Sequence, residues 1–150
     1  MLSTGRCCIN ISDAAIRLSR DEIIGQPVLS SWQALLDYCR LAIGRKQKEQ
    51  FWVFFLNRKN VLIADELQQI GTVDHTPVYP QEVVKRALDL GATANIMAHN
   101  HLSDDLTPSK GDIAMTQEVK EAGRKLGISV HDHVIVSCNG TSSFKSLGLL

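Results

Sequence analysis

Apolar residues recur at helical spacing in three stretches, and between them they crowd into short aromatic or β-branched runs. Trp32, Leu35, Leu36, Cys39 and Ile43 fall on one helical face, with Ser30 or Ser31 as cap and Gly44 as stop. "FWVFFLN" at 51–57 predicts a buried strand, "NRKN" a polar turn, and "VLIADELQQIG" at 61–71 the return strand of a hairpin. "GTVDHTPVYP" follows as a loop, and Pro80 suits the first position of a helix. Val83, Val84, Ala87 and Leu88 give that helix its apolar face, and Gly91 ends it. "ANIMAH" at 94–99 predicts a short buried strand. Met115, Val119, Ala122 and Leu126 stripe a third helix that Gly127 stops. "ISVHDHVIVS" at 128–137 is another strand, Asn139-Gly140 a hairpin signal, and 141–146 a last strand. The order α-β-β-α-β-α-β-β predicts an α/β domain with a mixed β-sheet. Residues 1–29 are polar and weakly periodic, and they predict an N-terminal extension with one short helix.

Composition narrows the function classes. A chain of 150 residues, 44% hydrophobic and 21% charged, has the make-up of one ordinary globular domain. Lys+Arg and Asp+Glu both number 16, so charge predicts no nucleic-acid partner. Cys7, Cys8, Cys39 and Cys138 form no C-x-x-C pair and predict reduced thiols. No apolar run is long enough for a membrane span, and the first residues lack a secretion signal. These readings together predict a cytoplasmic protein with no membrane partner.

The chemistry concentrates in "MAHNHLSDDLTPSKGD", residues 97–112. In extended chain His99 and His101 point to the same side. They stand where a central strand ends, which is where ligands bind in open α/β sheets. Asp112 lies near the start of the next helix, and a helix packed back on the sheet brings that end beside them. Two imidazoles and a carboxylate suit Zn²⁺ and leave its fourth position open, the pattern of a catalytic site. Ser109 is the natural hydrogen-bond donor to an oxyanion. Glu49 and Glu66 are both candidates for a general base. A blander reading competes, because S-x-x-D is close to a capping box and Ser109 and Asp112 then serve only as helix punctuation. Neither the H-E-x-x-H pattern nor the nucleobase-deaminase pattern occurs.

His99-x-His101, seven residues, then Ser109-x-x-Asp112, resembles the JAMM signature of MPN (JAB) domain metalloproteases. "EQFWVFFLNRKNVLIADELQQIGTVD", "VYPQEVVKRAL", "AHNH", "TPS", "DHVIV" and the closing "GLL" look like the RadC branch of that family. The resemblance divides the chain into an extension, 1–27, and an MPN (JAB/RadC-like) domain, 28–150. It implies an MPN/JAB, cytidine-deaminase-like architecture with His99, His101 and Asp112 as ligands of one Zn²⁺ per chain. It also implies Ser109 as stabiliser of the tetrahedral intermediate, and Glu49 rather than Glu66 as the base. The implied activity is hydrolysis of a peptide or isopeptide bond in an unidentified peptide or protein. A non-catalytic interaction module and a DNA-repair-associated factor are the alternatives. The sequence departs from the family pattern at Leu102, where proline is usual, at Asp104, where glycine is usual, and at Gln81, where arginine is usual. The family's upstream helix-hairpin-helix module does not fit within residues 1–29.

Weaker signals have structural readings. His131 and His133 form a second H-x-H, expected to be one face of a strand with His133 hydrogen-bonded near the site. His75 is expected to be an exposed loop residue. "GRKQK" at 44–48 is expected to be a solvated connector, and Trp32 and Trp52 core aromatics.

Overall fold

A computed structural model describes residues 2–71 and 78–150, with side chains from Asp13 onward. His75 and the side chains of Cys7 and Cys8 lie outside the described residues. The elements follow the order α1 (Leu2–Ile23), α2 (Trp32–Ala42), β1 (Gln50–Leu56), β2 (Leu62–Ile70), α3 (Pro80–Leu90), β3 (Ala94–Asn100), α4 (Lys110–Arg124), β4 (Ser129–Ser137) and β5 (Gly140–Ser143). They build a five-stranded mixed sheet in the order β2-β1-β3-β4-β5. β1 runs antiparallel to both β2 and β3, β3 is parallel to β4, and β5 closes antiparallel on β4. This is the mixed, helix-flanked α/β architecture that the sequence predicts.

The central strands are apolar on both sides because both faces are covered. Alternate residues of β1 feed two cores. Phe54 joins Ile23, Leu35, Tyr38, Ile43, Ile96 and Val134 beside α1 and α2. Val53 and Phe55 join Val83, Ala87, Met97, Val119 and Ile128 beside α3 and α4. Trp32 and Trp52 are half-buried at the margin of the first core.

Several boundaries differ from the periodic reading. Leu88 and Leu126 are 51% and 54% exposed, so neither lies on the buried face assigned to it. Leu126 falls beyond the end of α4 at Arg124, where the chain is already turning into Gly127 at φ +72°. Ser31 takes the N-cap position of α2, but its hydroxyl donates to the Pro27 carbonyl at 2.8 Å and makes no cap bond. The last strand covers 140–143 and stops early because Asp132 Oδ1 accepts the Lys145 N–H at 3.0 Å, turning the chain inward.

The N-terminal segment is the largest difference. It forms a 22-residue helix in place of the short one expected. Ile16 and Ile23 dock it on the first core, and a polar clasp adds to that contact. The Asp65 carboxylate on β2 accepts Arg20 Nε at 2.8 Å and the Tyr38 hydroxyl at 2.6 Å, so one buried carboxylate ties α1 and α2 to the sheet. Only 3% of the Asp65 side chain is exposed. Asp65→Ala leaves the Tyr38 hydroxyl without its acceptor, and it should lower unfolding stability by about 1–3 kcal/mol. Urea denaturation measures this, and a change below about 0.5 kcal/mol, the scale of ordinary surface substitutions, would show that the clasp is idle.

Candidate metal centre

Parallel strands cannot be joined by a tight turn, so α4 carries the chain from the end of β3 back to the start of β4. That crossover sets the N-terminus of α4 beside the C-terminal end of β3. His99 lies at that strand end, paired with Phe51 on β1 and Ile135 on β4. His101 follows at the start of the loop, its N–H donating to the Val136 carbonyl at 3.3 Å. Asp112 lies in the first turn of α4.

The three side chains converge. His99 Nε2 lies 2.9 Å from His101 Nε2 and 3.3 Å from Asp112 Oδ1, and His101 Nε2 lies 3.1 Å from Asp112 Oδ2. Their ligand atoms all fall within 4.8 Å of one another, and among the described residues this is the one grouping of three such side chains placed to hold a metal ion. The donor set fits a cation. His101 Nδ1 is 2.7 Å from the Asp105 carbonyl, which can only accept, so Nδ1 carries the proton. The neutral ring therefore presents its lone pair from Nε2 toward His99 and Asp112. Nitrogen and carboxylate donors aimed at a common point attract positive charge. The hydrogen bond to Asp112 raises the His101 pKa, and the nearby Glu49 carboxylate adds to the rise. Burial works against the charge on Asp112, but its contacts with the His101 and His99 rings, which stabilise the carboxylate when they carry a proton, outweigh it and hold its carboxyl well below the usual range.

The S-x-x-D pattern forms the helix cap, and the same Asp112 carboxylate lies among the converging side chains. Ser109 Oγ accepts the Asp112 N–H at 3.0 Å, and Asp112 Oδ2 accepts the Ser109 N–H at 2.9 Å, a complete capping box. The cap uses the Ser109 oxygen as acceptor and leaves its proton to donate elsewhere. The cap also orients the carboxylate toward the two histidines.

The loop between β3 and α4 holds one non-glycine residue in the left-handed region: Asp104 has φ +57°. Aspartate is among the few residues that tolerate this left-handed conformation. Its carboxylate accepts Asn139 Nδ2 at 3.4 Å, joining the loop to the β4–β5 turn. Leu102 is 41% exposed and touches none of the three converging side chains in a polar contact.

Glu49 precedes β1 and is half-buried. Its position depends on Asn100, a residue to which the spacing argument gave no role. Strand alternation turns Asn100 away from the histidines and toward the 44–50 connector. There Asn100 Oδ1 accepts the Gln50 N–H at 2.6 Å and Asn100 Nδ2 donates to the Lys48 carbonyl at 3.1 Å. The Glu49 carbonyl accepts the Gly71 N–H at 2.7 Å. The basic run is exposed, as expected, but its backbone is pinned. Gly44 opens it against β4, where an added Cβ would lie 2.8 Å from the Ser137 carbonyl. Glu66 is elsewhere, held by Arg86 at 2.7–2.9 Å on the edge strand β2.

The second H-x-H separates. A bulge between Asn95 and Ile96 shifts the β3–β4 register. His131 contacts Asn60 Oδ1 at 2.8 Å, whereas the fully buried His133 reaches His99 Nδ1 at 2.7 Å. Phe144 stacks on His133 at 4.4 Å, and Phe51 packs against both His99 and His133. The aromatic first strand held the signal for Phe51, whose register places it opposite His99.

A family model described as RadC-like JAB domain matches residues 29–149. A relative from Rhodobacter capsulatus, named UPF0758 protein, is 56% identical over 140 residues, which is 93% of this chain and 65% of the relative. The chain thus spans just under two thirds of that relative's length. No described helix is long and apolar enough to cross a membrane.

Asp112→Asn separates the cap reading from the ligand reading. Asparagine still caps a helix but carries no charge for a cation. Helical content by circular dichroism should stay near that of the parent, while metal retained after gel filtration should fall by at least tenfold. Equal metal content in the two proteins would reduce Asp112 to a cap.

Proposed function

The chain belongs to the RadC-like JAB domain family, and on that premise we propose that it is a zinc-dependent hydrolase cleaving a peptide or isopeptide bond in a protein or peptide substrate. The observation that carries the proposal is the convergence of His99, His101 and Asp112 within 4.8 Å, beside a glutamate whose charge acts on His101. Two imidazoles and one carboxylate are the donor set of a catalytic zinc site with an open position. Bound zinc supplies a water acidified toward pKa ~7 and polarisation of the scissile carbonyl.

The chain's own residues supply the rest. His99, His101 and Asp112 hold the ion. Glu49 is the general base, accepting a proton from the attacking water and returning it to the leaving amine. Asn100 keeps that carboxylate at the site by fixing the backbone on either side of it. The Ser109 hydroxyl, anchored at the N-terminus of α4, donates to the carbonyl oxygen as it gains negative charge. The positive end of the α4 dipole favours the same charge. Phe51 and the buried rings behind His99 keep that side of the site dry.

Glu49→Gln keeps size and polarity and removes the basic carboxylate. Zinc content by elemental analysis should remain about one per chain, while cleavage of a peptide-library substrate should fall by about 10²–10⁴-fold. Full activity in the zinc-loaded variant would remove Glu49 from the mechanism.

A further inference from the structure

Behind His99 a buried chain of hydrogen bonds runs back to the ligand-bearing helix. Thr116 stands one turn after Asp112 on α4. Its Oγ1 lies 2.6 Å from the Asp112 carbonyl and 2.6 Å from His133 Nδ1. His133 Nε2 lies 2.7 Å from His99 Nδ1. His133 and Thr116 are both 0% exposed. We propose that Thr116 and His133 are positioning residues that fix the tautomer of His99, so that its Nε2 is the nitrogen offered to the metal.

The direction of the chain follows from counting protons. A backbone carbonyl only accepts, so the Thr116 hydroxyl spends its single proton on the Asp112 carbonyl. Its oxygen must then accept from His133, which places the His133 proton on Nδ1. The partners of His133 on its two nitrogens are a hydroxyl and an imidazole, neither of them a carboxylate, so the ring carries one proton. Its Nε2 is therefore a lone pair, and the 2.7 Å contact requires His99 Nδ1 to donate. His99 Nε2 is left unprotonated, facing His101 Nε2 at 2.9 Å. The Asp105 carbonyl has already fixed the same tautomer in His101. Reversing the chain would put a proton on His99 Nε2 and set the Thr116 oxygen against the Asp112 carbonyl with no hydrogen between them.

The relay also joins the two elements that carry the ligands. His99 is on β3, Asp112 on α4, and His133 on β4 stands between His99 and Thr116 of α4. Second partners of this kind typically change metal affinity by about 10–100-fold when removed. In this chain the second partner of His99 is itself a histidine with a partner of its own, so the control reaches Thr116, which touches none of the metal-facing nitrogens.

This inference rests on the metal reading, and the test separates the two. Thr116→Val removes the hydroxyl at nearly constant volume, and Thr116→Ser keeps it. Zinc affinity is measured by competition with a chromophoric chelator, beside the thermal midpoint of the metal-free protein. Thr116→Val should bind zinc about 10–100-fold more weakly, and Thr116→Ser within about threefold of the parent. A packing role alone would shift the metal-free midpoint and leave affinity unchanged, and that result would overturn the relay. ¹⁵N-resolved NMR of the parent reads the tautomers directly and does not depend on any variant folding. It should find His99 and His133 protonated at Nδ1, and a proton on His99 Nε2 in the metal-free protein would overturn the relay by itself. Failure of the parent to take up zinc would sink the metal reading and this inference with it.

Discussion

The parallel pairing of β3 with β4 is the constraint from which the site follows. It obliges the chain to cross over through α4, and a crossover helix packed on the sheet must begin where the preceding strand ends. A strand-end histidine pair and a first-turn aspartate are thereby brought together without any long insertion. The same pairing sets His133 of β4 behind His99 of β3 and gives Thr116 a partner one turn into the helix. An antiparallel join by a tight turn would have left no helix to supply either Asp112 or Thr116.

Buried polar groups are costly unless satisfied, and this site is satisfied from behind. Asp105, His133 and Asn100 each take the hydrogen bond that would otherwise leave a ligand or its neighbour free to turn. What faces inward is a pair of imidazole nitrogens 2.9 Å apart with a carboxylate beside them. Two such lone pairs repel unless a proton or a metal ion lies between them. The capping box uses Asp112 without consuming its charge, so the carboxylate still faces the two histidines. Asp104 shows the tolerance of the surrounding loop, since its φ of +57° meets the backbone requirement usually met by glycine.

What was legible in the sequence was what acts over short range. His99, His101, Ser109 and Asp112 lie within one strand end, one loop and one helical turn, so spacing alone indicates that they can meet. Glu49 was different. Composition left it level with Glu66, and family resemblance separated them before the structure placed Glu66 on Arg86. Asn100 was hidden because its partners lie far along the chain, Gln50 at 50 residues and Lys48 at 52 residues of separation. Thr116 was hidden because a threonine inside a helix has no periodic signature. Leu88 and Leu126 misled for the opposite reason: both keep helical spacing, yet Leu88 is exposed on α3 and Leu126 lies beyond the end of α4. The length of α1 was unreadable because part of its dock is polar, through Arg20 on the buried Asp65 carboxylate, and its described apolar contacts, Ile16 and Ile23, lie only in its C-terminal half.

The central claim is that the cation binds to the two imidazoles and the carboxylate, and X-ray absorption at the zinc edge of the metal-loaded protein addresses it most directly. The zinc should be bound by nitrogen and oxygen at ~2.0–2.2 Å, with the more distant scattering pattern of two imidazoles. Among the described cysteines, Cys39 is buried and Cys138 is exposed. Sulfur scattering at ~2.3 Å, or a spectrum with no imidazole contribution, would place the metal on other side chains and contradict the account.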